Sequence, residues 1–157
     1  MPRSEVTVRV RRPAAIVFDA IASHCWVNDP AWESEVLGVK PDGGGLRVGG
    51  RVVMTRHESG KDITTTYEIT KLEPPTRLAL RHIDGAMRFA LDWQVRPVGA
   101  DETDVTVTVT IGLFGWMRLL TPIIALGAPR RNARISAQMA EAIEAARPAA
   151  SGVAAIA

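Results

Sequence analysis

The chain has 157 residues, 46% hydrophobic and 23% charged, which suits one globular domain and excludes a disordered, collagen-like or low-complexity protein. Nineteen Lys and Arg against 17 Asp and Glu leave a formal charge of +2, too small a basic excess to make nucleic acid the expected partner. A single cysteine, Cys25, excludes an internal disulfide framework and supplies too few thiolates for a structural zinc site; no metal and no cofactor are expected.

The opening residues 1–5 lack the apolar stretch of a secretory signal and lead straight into alternation. With the lone thiol, this points to a cytoplasmic protein. Val6, Val8 and Val10 alternate with Thr7, Arg9 and Arg11, the period-two pattern of a strand covered on one face, ending near Arg12. Pro13 suits a first helical turn, and Ile16, Val17, Ala20 and Ile21 recur at helical spacing to about Ser23. Residues 26–32, interrupted by Asn28-Asp29-Pro30, predict a turn or second short helix before a strand at 36–39.

Turn signals then come regularly, at Gly43-Gly44-Gly45, Ser59-Gly60, Pro74-Pro75, Asp84-Gly85 and Gly99-Ala100-Asp101, and divide an antiparallel meander. Ile63, Thr65, Tyr67 and Ile69 share one face. Met87, Phe89, Leu91, Trp93 and Val95 form another such row, as do Val105, Val107, Val109 and Ile111. The opposite face carries Thr64, Thr66, Glu68, Arg88, Asp92, Gln94 and Arg96.

After Gly112 the period becomes helical, with Met117, Leu120 and Ile124 in phase and Ile135, Met139, Ala142, Ile143 and Ala146 continuing beyond Gly127-Ala128-Pro129. Pro122 and Pro129 predict a kinked helix ending at Pro148. Residues 111–128 approach the length of a membrane span, but Arg118, Pro122 and the glycines favour a buried or interfacial helix over stable membrane insertion. The expected organisation is one domain over 1–147 and a frayed, flexible tail over 148–157.

About seven antiparallel strands have an apolar face too wide for water, and one long helix is available to cover it. The sheet must curl around that helix, and side-chain size decides whether the space between them is filled or hollow. This α+β order, with two short helices after strand 1, resembles the helix-grip fold of the START and birch-pollen-allergen (Bet v 1-like, SRPBCC) superfamily. Within it, the chain is most similar to bacterial polyketide cyclase/dehydrase and lipid-transport-like proteins. The resemblance is carried by the stretches at 12–18, 26–32, 49–52 and 72–78, and covers about residues 4–147. It implies a hydrophobic ligand cavity between the curved sheet and the C-terminal helix, without a universal catalytic signature.

Nucleophile-elbow, Walker and His-Glu-x-x-His templates are absent. The glycines of 43–50 lack the strand-loop-helix context of a phosphate loop and predict a flexible hairpin bordering the cavity mouth. Polar residues in phase with apolar neighbours are more informative. His82 follows Leu78 and Leu80, Tyr67 lies between Ile63 and Ile69, and Arg56 follows Val52 and Met54. One reading places Arg56 and His82 at solvated strand ends and treats Tyr67 as packing; the other makes all three the polar contacts of an apolar ligand.

The expected lining is Met54, Arg56, Thr65, Tyr67, Leu80, His82, Phe89, Leu91, Trp93, Val107, Leu120, Ile124 and Arg131. Trp26 and Trp32 would cap one end of the cavity. The adjacent His24 and Cys25 raise a thiol-nucleophile reading that needs a low thiol pKa. Arg130, Arg131 and Arg134 read as a solvated face, with Arg131 at the edge of the inner one if the helical phase runs through the Gly127–Pro129 break.

Two functional classes follow. The first is a module binding a lipid, isoprenoid or polyketide-like aromatic. The second is a cyclase or aromatase in which the candidate catalytic residues His82 and Tyr67, with Arg56, move protons. A third option uses the apolar part of the C-terminal helix as a membrane-surface or homodimer contact.

Overall fold

The computed structural model describes residues 2–84 and 87–146; the predicted tail at 148–157 lies outside the described residues. Seven strands form one antiparallel sheet: β1 (Arg3–Val10), β2 (Val36–Pro41), β3 (Arg51–Glu58), β4 (Lys61–Glu73), β5 (Arg77–His82), β6 (Met87–Gly99) and β7 (Glu102–Leu113). Their order is β1-β7-β6-β5-β4-β3-β2, so β2 to β7 run as a meander and β1 joins its far edge beside β7. Val6 pairs with Val107 and Val8 with Val105, which puts the valine rows of β1 and β7 on one side, opposite Thr7 and Thr106. The sequence alternation thus becomes an apolar inner face and a polar outer one.

Two helices serve that inner face. α1 spans Ala14–Val27 and buries Val17, Phe18, Ile21, Ala22 and Cys25, a stripe repeating every three to four residues. One helix therefore stands where two short ones were expected. It continues past Ser23 because His24, Cys25 and Trp26 all find buried positions, and it stops at Asn28, whose left-handed conformation (φ 58°) turns the chain while its N–H bonds to the His24 carbonyl at 2.9 Å. The cis Asp29–Pro30 bond follows, and the segment up to β2 forms no second helix.

At the other end of the chain a 3₁₀ turn, Gly115–Leu120, leads into α2, Thr121–Ala145. Pro122 stands in the first turn, where its missing donor is harmless, and Pro129 is accommodated inside a helix that runs on past it, so residues 127–129 do not break the phase. Asn132, Ser136, Met139 and Ile143, at steps of four, three and four, form the buried stripe of α2. Two of these four are polar, and they are satisfied together. Asn132 Nδ2 donates to Ser4 Oγ at 3.0 Å and to the Val107 carbonyl at 3.1 Å, while Ser136 Oγ donates to Asn132 Oδ1 at 3.2 Å. This network pins α2 over β1 and β7 in one register, since any slide along the helix would leave buried polar groups without partners.

The glycine-rich loop before β3 is fastened at its base. Gly49 N–H donates to the Ile69 carbonyl and Ile69 N–H to the Gly50 carbonyl, both at 2.8 Å, opposite the irregularity between Ile69 and Lys71 in β4. A side chain at Gly50 would meet the carbonyl oxygens of Arg47 at 2.9 Å and Gly45 at 3.0 Å, so the loop folds on itself in a way only glycine allows, with the Trp26 ring of α1 alongside. The base thus belongs to the α1 end of the sheet. No described helix is long and apolar enough to cross a membrane.

Candidate functional site

Burial changes along the inner face. Near α1 the sheet is dry: Val52, Ile69, Val95 and Val105 are at most 4% exposed, and Trp93 is 7% exposed. Toward the hairpins that end at Glu58 and begin at Met87, the same rows loosen. Thr65, Met87, Phe89, Leu91 and Val109 are only half-buried, and Ile63 is 41% exposed. Met54, Leu80, Trp93 and Val107 are core residues and form the floor; Leu120, at the end of the 3₁₀ turn, and Ile124, on α2, stand half-buried. The grip is tightly packed at the α1 end and looser at the other, where Ile111 and Leu113 of β7 nevertheless stay buried.

At the boundary between the packed and loose halves the structure gathers Arg56, Thr65, Tyr67 and His82. The rings of Tyr67 and His82 lie 5.4 Å apart, and Phe89 stands 6.0 Å from His82 on its other side. Tyr67 pairs with Val52 across β3–β4 and with His82 across β4–β5, so strand register aligns the cluster. The Arg56 Nη2 donates to Glu33 Oε2 at 2.5 Å, with the two side chains 16% and 11% exposed. Burial works against the Arg56 charge, but Glu33, with Tyr67 and Glu58 beyond it, outweighs that cost and holds the guanidinium above its ordinary value. Burial also pushes the Tyr67 phenol upward, against the pull of Arg56, so it stays protonated at neutral pH.

His82 Nδ1 meets the Met87 carbonyl at 2.7 Å. Its Nε2 stands 2.8 Å from Asp84 Oδ1, yet without the alignment of a hydrogen bond. The Asp84 carboxyl is held below its usual range first by the Thr66 N–H and then by His82. Thr65 Oγ1 faces the Tyr67 phenol, again without hydrogen-bond geometry. Arg56 Nε, Thr65 Oγ1 and His82 Nε2 are thus buried polar atoms without a hydrogen-bond partner, all in one cluster. Such atoms are uncommon in folded proteins, and each costs about 1–3 kcal/mol unless a ligand or water satisfies it.

An open depression of about 400 Å³ at the end of β5 is lined by Arg81, His82, Ile83, Arg88, Phe89, Ala90, Thr110 and Gly112; it touches the cluster through His82 alone, and Arg81, Arg88, Ala90, Thr110 and Gly112 belong to the outward alternation of the sheet. That volume lies in the range of small-molecule sites, about 300–1,000 Å³. It is reached between the strands because β5 and β6 pair only as far as Arg81 and Ala90. A second depression of about 440 Å³, against Gly38, Lys40, Val53 and Thr55 at the β2 edge, shares no residue with the cluster.

Other candidates are placed elsewhere. Arg131 is exposed and pairs with Glu58 at 3.2 Å, and Arg134 reaches Glu35 at 3.8 Å, so both arginines tie α2 to the far side of the sheet at the rim. Cys25 is buried, which pushes its thiol up and keeps it protonated. His24 is lowered to about 4 by burial and meets the Pro30 carbonyl at 2.8 Å, with its ring stacked 3.3 Å from Trp32. The pair is therefore a structural plug beneath Trp26 and Trp32, not a nucleophile with its base. Sequence reasoning missed Glu33, which lies in irregular chain with no periodicity to betray it. It also missed Asn132, whose phase with Met139 and Ile143 was available as a signal.

A family model described as polyketide cyclase/dehydrase and lipid transport matches residues 1–146. The chain belongs to that family. Among solved structures, the ZhuI aromatase/cyclase from Streptomyces sp. R1128 is similar at 21% identity and a TM-score of 0.71, with 96% of this chain and 98% of that one covered. The di-domain aromatase/cyclase BexL of the BE-7585A biosynthetic pathway is similar at 18% identity and TM-score 0.76; this chain, 92% covered, spans about half of it, 47%. A START superfamily protein from Mycobacterium smegmatis is similar at 13% identity and TM-score 0.71, over 90% of this chain and 97% of its own. At these identities the family's structural relatives fix the helix-grip fold and leave the chemistry to this chain's residues. No curated protein matches the sequence.

Proposed function

We propose that this member of the polyketide cyclase/dehydrase and lipid transport family is a cytoplasmic protein that binds a small hydrophobic molecule, of lipid, isoprenoid or polyketide-like aromatic type. The guest would lie against Phe89, Leu91 and Val109, with Arg56, Thr65, Tyr67 and His82 orienting its polar end. One observation carries the reading: three buried polar atoms without a hydrogen bond, Arg56 Nε, Thr65 Oγ1 and His82 Nε2, the last with Asp84 as its ionic neighbour, lie where the apolar face loosens. A guest with one oxygenated end and an apolar body would satisfy the first and cover the second. Burial of its apolar surface supplies affinity at about 25 cal/mol per Å² before the costs of binding.

A second reading, favoured by the ring of His82, its Nε2 2.8 Å from Asp84, beside the protonated Tyr67, is proton transfer during ring closure or dehydration of a polyketide chain held against them. The two readings separate on the same variants. Phe89→Ala should weaken binding of a fluorescent probe such as 1-anilinonaphthalene-8-sulfonate by about tenfold with an unchanged circular dichroism spectrum; unchanged affinity would remove the binding site from this pocket. With a polyketide chain as substrate, His82→Ala and Tyr67→Phe should lower kcat by about a hundredfold or more while KM moves little if the protein is a cyclase. Affinity lost without any turnover to lose would leave the binding reading alone.

A further inference from the structure

The four most exposed large hydrophobic side chains among the described residues sit within one short segment: Leu119 (80%), Leu126 (77%), Trp116 (72%) and Ile123 (69%). Their spacing of three, four and three residues, carried from the 3₁₀ turn into the first turns of α2, lines them up as one outward stripe. The other side of the same segment carries Met117, Leu120 and Ile124, each half-buried, so this half of the helical region is apolar on both faces. The second half of α2 carries Arg130, Arg134, Gln138 and Glu141 outward, as a solvated helix does.

We infer that the Trp116–Leu119–Ile123–Leu126 stripe, with Arg118 beside it, docks on the surface of an anionic phospholipid bilayer. Charge selects that occupant. From Val105 to Ala140 the sequence holds no Asp or Glu, while Arg118, Arg130, Arg131 and Arg134 fall within it. Arg131 and Arg134 are engaged with Glu58 and Glu35, whereas Arg118 and Arg130 make no ion pair among the described residues. An apolar stripe with tryptophan and unpaired arginines has the chemistry of an interfacial helix, its rings at headgroup depth and its cations drawn to anionic lipid. A second copy of the chain fits less well, since the same segment of a mate, free of Asp and Glu, would offer Arg118 and Arg130 no counter-charge.

The stripe also adjoins the pocket. The Arg88 guanidinium lies 5.9 Å from the centre of the Phe114 ring, at the start of this segment, and Arg88 lines the 400 Å³ depression. Docking would therefore bring the looser end of the grip to the lipid surface, although the docking inference stands without any guest in the pocket.

The test is flotation with vesicles of phosphatidylcholine alone and of phosphatidylcholine mixed with phosphatidylglycerol, alongside sedimentation velocity. The protein should float with the mixed vesicles, more weakly as salt rises. Leu119→Ser with Ile123→Ser, both at exposed positions, should lose that binding about tenfold or more, and Arg118→Glu about fivefold, without loss of circular dichroism signal. Absence of flotation by the wild type would overturn the inference, as would variants that float equally well. A dimer dissolved by the serine variant, with no vesicle binding, would overturn it in favour of self-association.

Discussion

Glu33→Leu is expected to destabilise the fold by about 2–4 kcal/mol, because it leaves the Arg56 guanidinium, only 16% exposed, buried without its counter-charge. Most of the loss comes from the stranded charge and little from missing packing. Adding Arg56→Met should therefore return most of the lost stability, since an apolar pair of similar volume needs no desolvation of charge. Urea unfolding of the wild type, the two single variants and the double variant closes the cycle. A double variant no more stable than Glu33→Leu would show that the pair does not act as a unit. The same cycle bears on function, because Glu33 engages Nη2 of Arg56 and leaves Nε buried without a hydrogen bond.

Acid should cost the protein about 3 kcal/mol through one residue. His24 is held neutral in the fold, with its pKa lowered to about 4 from 6.5 by burial, against the help of the Pro30 carbonyl and with a smaller push from Arg56. Below about pH 6.5 the unfolded chain takes up a proton that the native one refuses. The stability contributed by the neutral ring is thus full above that pH, falls as the pH drops, and is gone once the pH has passed through about 4. The gap between the two values sets the size of the effect. His24→Phe keeps a ring to stack on Trp32 and removes the titration. Urea midpoints at about pH 7 and about pH 4.5 should fall steeply for the wild type and less for the variant. The remaining fall belongs to carboxylates held below their usual range, Glu68 first by its hydrogen bond to Arg81 and Asp104 first by its hydrogen bond to Arg9. Equal falls in both proteins would remove His24 as the cause.

The sheet was legible in the sequence because its inner and outer faces differ at every second residue, and turn signals separate the rows. The long C-terminal helix was legible for the same kind of reason, its apolar period surviving two prolines. The second short helix was misread: the cluster around Trp26 and Trp32 is apolar enough for a helix, but the first tryptophan finishes α1 and the second stacks on His24. The loop at 43–50 reads as slack from composition alone, whereas its last glycine permits a close approach to the Arg47 and Gly45 carbonyls that only the fold supplies. Within the site, alternation placed Arg56, Tyr67 and His82 on the inner face. It could not show that Glu33 would reach Arg56 from another segment, since that pairing depends on how the α1–β2 connection crosses the sheet.

The central claim is that the looser half of the grip takes an apolar guest with a polar end. Native mass spectrometry of the purified protein, followed by organic extraction of what it carries, tests this directly. We expect a mass above that of the bare chain, released into solvent as a hydrophobic compound bearing an oxygenated group, and reduced or lost in Phe89→Ala. A wild-type protein that carries nothing and takes up no hydrophobic probe at the Arg56–Tyr67–His82 cluster would contradict the account.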